Sequence, residues 1–99
     1  MSFVSESAVT VTTNATALCT AKTSRKAILI SNNDASAVLY IGASSGVTTS
    51  TGTPIPAGQS FSDSGEYCYT GIWYGIVASS TLNARVLDQY LLQANGIPV

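Results

Sequence analysis

Histidine is absent from the 99 residues, and only 9% of them are charged. Without an imidazole, Ser-His-Asp and Cys-His catalysis, most zinc sites and the usual general base near neutral pH are excluded. The carboxylates do not fill the gap. Asp34, Asp63, Glu66 and Asp88 are scattered among turns and strand ends, without the paired spacing a glycosidase requires across a cleft. No enzyme, cofactor or metal site is expected.

No run approaches the roughly 18 consecutive apolar residues of a membrane-spanning helix. The segment from Met1 to Ser7 has no basic start followed by an apolar core, so no secretory signal is visible and synthesis in a reducing cytoplasm is expected. A formal net charge of −1 provides no basic face. Neither nucleic acid nor membrane is an expected partner. Cys19 and Cys68 are the only cysteines, each among β-type residues, and buried free thiols are the expected state.

Three short patterns imitate ligand motifs and fail. Asn32-Asn33-Asp34 lacks the alternating ligands and closing Glu of an EF-hand, which leaves an Asx turn. Gly42 and Gly46 are followed by no Lys and no helix, so they do not form a phosphate loop. Asn14-Ala15-Thr16 is a glycosylation sequon without a secretory context.

What remains is apolar and β-forming. Apolar residues make up 45% of the chain, enough for one small folded domain. With so few charges, the surface must be largely Ser, Thr, Asn, Gly and Ala, a neutral surface suited to packing against other protein. Ala8 to Thr13 alternates Val with Thr, the period-2 pattern of a half-buried strand. Ala17 to Ala21 reads as a short strand, and Lys26 to Ser31 as a central strand covered on both faces. Asn32 to Ser36 reads as a turn that returns the chain through Val38 to Ile41 as a hairpin partner. Gly42 to Gly58 is a long Gly/Pro/Ser/Thr loop whose prolines suit only an edge or a loop. Tyr67 to Ala78 holds most of the aromatics over one or two strands, with Ala84 to Asp88 pairing back. Turn signals every eight to twelve residues indicate an all-β, single small antiparallel β-sandwich or jelly-roll-like domain at 8–88. Extended arms at 1–7 and 89–99 are expected to cross to neighbours, with a helical turn possible at Tyr90 to Leu92.

Candidate contact residues fall in three groups. Tyr67, Tyr69, Trp73 and Tyr74 suit a core, a subunit interface or a sugar-stacking platform. Tyr90, Leu91, Leu92, Ile97 and Val99 form an apolar tail, and Val47, Thr48, Thr49, Pro54, Ile55 and Pro56 lie in the long loop.

The run Arg25 to Asn32, then Val38 to Gly42, Val47-Thr48-Thr49, Gly52, Ile55 to Ser60, Trp73 to Ala78 and Ala84 to Asp88 resembles small β-domain virion proteins of tailed bacteriophages. That resemblance implies a non-enzymatic structural subunit on the virion exterior. Its most direct reading is a capsid decoration or cement protein. The implied partners are the major capsid protein and further copies of itself, a trimer being a common closed arrangement. A head-fibre, spike or tail component that contacts a receptor through the 42–58 loop is a rival. A soluble carbohydrate-binding module using the aromatic group is another.

Overall fold

The computed structural model describes residues 2–91. Eight strands run in chain order: β1 (Ser2–Val11), β2 (Thr16–Ala17), β3 (Arg25–Asn32), β4 (Leu39–Gly42), β5 (Thr53–Ile55), β6 (Ser60–Ser64), β7 (Tyr74–Ile76) and β8 (Leu82–Leu91). They form two antiparallel four-stranded sheets, β1-β8-β3-β6 and β2-β7-β4-β5. β1 pairs with β8, β2 with β7, β3 with β6 and β4 with β5, as though one long hairpin had been rolled up. This is the strand order of a jelly roll.

Alternation decides which side chains are inside. β8 is buried at every second residue from Leu82 to Tyr90, and Val9 and Val11 of β1 point the same way. Between the sheets lie Val11, Leu18, Ile28, Ile30, Leu39, Ile41, Ile55, Val77, Leu82, Ala84 and Val86, with Phe61 and Trp73 packed against them. Buried apolar area of this kind supplies the main stabilisation, roughly 25 cal/mol per Å² removed from water.

Several expectations are corrected. β3 is central in its sheet but covered on one face only, because Leu29 points outward beside buried Ile28 and Ile30. β4 is not the hairpin partner of β3; it crosses to the other sheet. Asn32 causes that crossing. Its Nδ2 donates to the carbonyls of Ala37 and Ile55, both at 2.8 Å, and its Oδ1 accepts from the Asp34 N–H. β8 pairs with β1 and β3, and not with the aromatic segment before it. The reading of 17–21 as a strand shrinks to Thr16–Ala17, and the 42–58 loop contains β5, with Pro54 on an edge strand where its missing N–H is harmless. Residues 2–7 are no free arm but the first half of β1, in register with β8 from Ser2 opposite Leu91 onward. Tyr90 and Leu91 continue β8 as strand, without a helical turn.

A bulge at the start of β3 has a large structural effect. Pairing with β8 shifts between Arg25 and Ala27, which leaves Lys26 as the extra residue. Arg25 therefore points inward although it is three residues from Ile28, and an unbroken strand would have sent it to solvent.

Asp34 closes the turn after β3, its Oδ2 accepting from the N–H groups of Ala37 (2.8 Å) and Ser36 (3.1 Å). These bonds hold its carboxyl below the usual aspartate range. A lowered folded pKa means that the unfolded chain binds the proton more tightly. The stabilisation is then present above about pH 4 and lost as pH falls through the folded value. Acid titration of thermal stability should show a steeper decline for the wild type than for Asp34→Ala. Parallel acid limbs would remove Asp34 as the cause.

Candidate interaction surface

The rolled topology sorts the connections to two ends of the sandwich. Residues 12–15, 33–38, 56–59 and 77–81 sit at one end, where the Val77 N–H donates to Thr12 O and the Asn33 N–H to Asn83 O. A tight turn is made there at Pro56 to Gln59, with the Gln59 N–H donating to Pro56 O and Gly58 at φ 75°, a conformation glycine adopts without strain. Residues 18–24, 43–52 and 65–73 gather at the opposite end, together with Ser2 and Leu91. There the Lys22 N–H donates to Thr70 O, and the Tyr69 hydroxyl donates to Ala43 O at 3.3 Å.

This second end brings together two candidate groups that are far apart in sequence. Tyr67 projects from the 65–73 connection at 93% exposure. Tyr69, in the same connection, is anchored by its N–H to Asp63 Oδ2 (2.9 Å) and by its ring against Trp73, centroids 5.1 Å apart at 77°. Trp73 in turn meets Phe61 edge-on at 5.3 Å and is half-buried against the core. Tyr67 and Tyr69 are therefore loop residues, not neighbours on one strand. Tyr69 and Trp73 pack edge to face, so these two rings do not form a flat shelf together. Tyr74 belongs elsewhere, on the outer face of the second sheet beside the row of Pro54, Tyr40 and Ile76.

The 43–52 connection is ordered by its own hydroxyls. The Thr48 carbonyl accepts from the Gly52 N–H at 2.8 Å, and the Thr51 hydroxyl accepts from the Thr48 N–H at 3.0 Å. Val47 is buried under this turn as its anchor, so it is no contact residue. Ile55 likewise belongs to the core. Thr48, Thr49, Pro54 and Pro56 are exposed. Gly52 cannot be enlarged: a Cβ there would lie 2.9 Å from Tyr40 Cβ, 3.0 Å from Val47 and 3.1 Å from the Thr48 carbonyl.

The tail group divides. Tyr90 is buried in its own domain, with Phe3 against its ring at 5.4 Å and the Lys22 ammonium 4.8 Å from its centroid, so it does not reach a neighbour. Leu91 is tied to Ser24 by two hydrogen bonds, one in each direction. Leu92, Ile97 and Val99 lie outside the described residues.

Beneath this end sits a buried cluster that sequence spacing did not reveal. The Arg25 guanidinium makes a bidentate pair with Asp88, Nε–Oδ1 2.8 Å and Nη2–Oδ2 3.0 Å. It also donates to the carbonyls of Gly71 (2.8 Å), Tyr69 (3.1 Å) and Thr20 (2.6 Å). Burial opposes its charge, but the Asp88 carboxylate more than compensates and holds its pKa above the ordinary value. Cys19 Sγ accepts from Arg25 Nη2 and from the Trp73 N–H, both at 3.4 Å. Burial, helped by Asp63, pushes the Cys68 thiol up. Both cysteines are free. Every N–H of the Arg25 guanidinium is directed at a protein acceptor, so its role is structural: it bolts the first sheet to the loops of the second. Among the described residues no group of three or more His, Cys, Asp or Glu side chains could hold a metal, and no helix is long and apolar enough to cross a membrane.

Comparison of the chain with protein-family models, curated proteins and solved structures finds no match.

Proposed function

We propose that the chain is a non-enzymatic structural subunit of a tailed-phage virion, a capsid decoration or cement protein. On this reading it docks on the major capsid protein lattice at the capsid exterior and stabilises the head. The observation that carries the reading is the loop end of the sandwich. There a fully exposed tyrosine stands beside a self-ordered connection whose exposed residues, from Ala43 to Thr51, carry no charge. Tyrosine is the kind of rigid, amphipathic anchor that protein interfaces concentrate, and an ordered loop loses little entropy on docking. The strand order, shared by capsid and lectin domains, supports the reading by analogy of fold. Many weak contacts of this kind retain a subunit on a repeating lattice through avidity.

The test uses particles assembled with and without the protein. Hundreds of copies per particle and a higher temperature of DNA release are expected. Tyr67→Ala should weaken binding to heads roughly tenfold or more, as loss of an interface anchor does. Equal release temperatures would refute a stabilising role, and a handful of copies would move the protein to a fibre, spike or tail.

A further inference from the structure

The outer face of the first sheet is a regular grid. One row across the strands carries Val4, Gln89, Ala27 and Ser64, the next Glu6, Leu87, Leu29 and Ser62, and the third Ala8, Arg85, Ser31 and Ser60. Leu87 and Leu29 are directly opposed at its centre and remain 39% and 36% exposed, with Val4 at 48%. A hollow of about 370 Å³ lies on the Arg85 side of this leucine pair and one of about 140 Å³ on the Gln89 side. The grid holds only two charged residues, Glu6 and Arg85. They are opposite in sign, and among the described residues neither has an ion-pair partner. Arg85 Nε donates instead to Asn83 Oδ1, at a long 3.3 Å.

We propose that this face docks a second copy of the same chain about a two-fold axis. The argument is geometric. With strands about 4.8 Å apart and alternate residues about 6.8 Å apart along a strand, Glu6 and Arg85 stand on a diagonal of about 8 Å. A two-fold axis lying in the face and passing midway between them exchanges their positions. Glu6 of each copy then meets Arg85 of the other. Continued across the same grid, that axis passes between Leu87 and Leu29, within about 2 Å of each. Each leucine therefore packs near its own counterpart. A single operator satisfies both charges and covers both leucines, as an isologous interface requires. It is a two-fold, in place of the trimer that the phage resemblance implied.

The size of the face sets the strength. Four strands span roughly 19 Å, and a paired length of roughly 20–25 Å gives about 400–500 Å² per copy, near half of a standard stable interface. The association is therefore weak and reversible, and rim charges make it sensitive to salt. It goes beyond the virion reading and does not rest on it, since it is measured on the purified chain alone.

Sedimentation of the full chain, from micromolar to millimolar concentration, should show a reversible shift from the 10.2 kDa monomer toward twice that mass, weakened by salt. Glu6→Arg and Arg85→Glu should each weaken self-association by about tenfold or more. Mixed together, the two variants should associate with each other, because a face with two arginines meets a face with two glutamates. The double reversal should regain self-association. Leu29→Asp should abolish it while the circular dichroism stays that of the wild type. A monomer at every concentration overturns the proposal, and is the outcome if the chain's own residues 92–99 cover the face. Association indifferent to the charge reversals also overturns it, and would point to pairing along the β1 edge.

Discussion

Replacing Asp88 by alanine is expected to lower the free energy of unfolding by about 3–5 kcal/mol, read from denaturant midpoints at constant slope. Domains of this size have roughly 5–15 kcal/mol in total, so the loss is a large share. The cause is the charge left behind. The Arg25 side chain is fully buried, and among the described residues the bidentate carboxylate is its only close counter-ion. A buried ion pair can often be replaced by two apolar residues at no cost or at a gain. That substitution should fail in this protein. Arg25 also satisfies the carbonyls of Thr20, Tyr69 and Gly71, and an Arg25→Met, Asp88→Leu variant leaves Thr20 O without a donor and Tyr69 O and Gly71 O with only the long thiol contacts of Cys68 (3.7 Å) and Cys19 (3.9 Å). A buried acceptor left without a donor costs about 1–3 kcal/mol and one left with only a thiol somewhat less, so the double variant should remain about 2 kcal/mol or more below the wild type. Wild-type stability in the double variant would show that the carbonyls find water, and that the cluster is an ordinary ion pair.

At the other end of β3, Asn32→Ala should cost about 2–5 kcal/mol, because it strands Ala37 O and the Asp34 N–H and takes one bond from Ile55 O, which keeps its pairing with Leu39. Asn32→Asp is the sharper test. It keeps the shape and the acceptor for Asp34, but turns a two-proton donor into an anion facing two carbonyl oxygens. In the folded state that carboxyl is disfavoured as an anion, so its pKa lies above the unfolded value. Its contribution is then best at low pH, where it is protonated, and worsens as pH rises through the folded value. The variant should consequently be closest to wild type in acid and fall away toward neutrality. A constant deficit at all pH values would show that Asn32 acts by shape alone.

How legible all this was from the residues depends on whether a signal was local. Val9 and Val11 declared their face by alternation, and the Pro54 ring declared an edge or a loop. The class and the positions of β3 and β4 followed from such cues, whereas the full lengths of β1 and β8, the shortness of β2 and the strand β5 inside the loop did not. Pairing did not, because in a rolled-up hairpin β1 pairs with β8 and β3 with β6, and nothing adjacent in sequence reports that. The hairpin expected between β3 and β4 failed because Asn32, which looked like a turn residue, spends its side chain on reaching the other sheet. Leu29 hid the one-sided burial of β3, since an exposed leucine inside an apolar run reads as core. Nothing in the residues around Arg25 marks it as buried, and only the bulge at Lys26 turns it inward. The candidate surface was half legible: the loop and the aromatics were found separately, and their meeting at one end belongs to the topology.

The pairing of Ser2 with Leu91 has a mechanical consequence. β1 and β8 are antiparallel neighbours, and the chain's first and last described residues lie side by side at one end of the ribbon. Tension applied through those two points meets the hydrogen-bonded pairs one after another, as in opening a zipper, and never loads them in shear together. The domain should thus unravel at low force when pulled through residues 2 and 91 in a single-molecule experiment. On the proposed cement reading, the capsid must then grip the domain by its loops and faces.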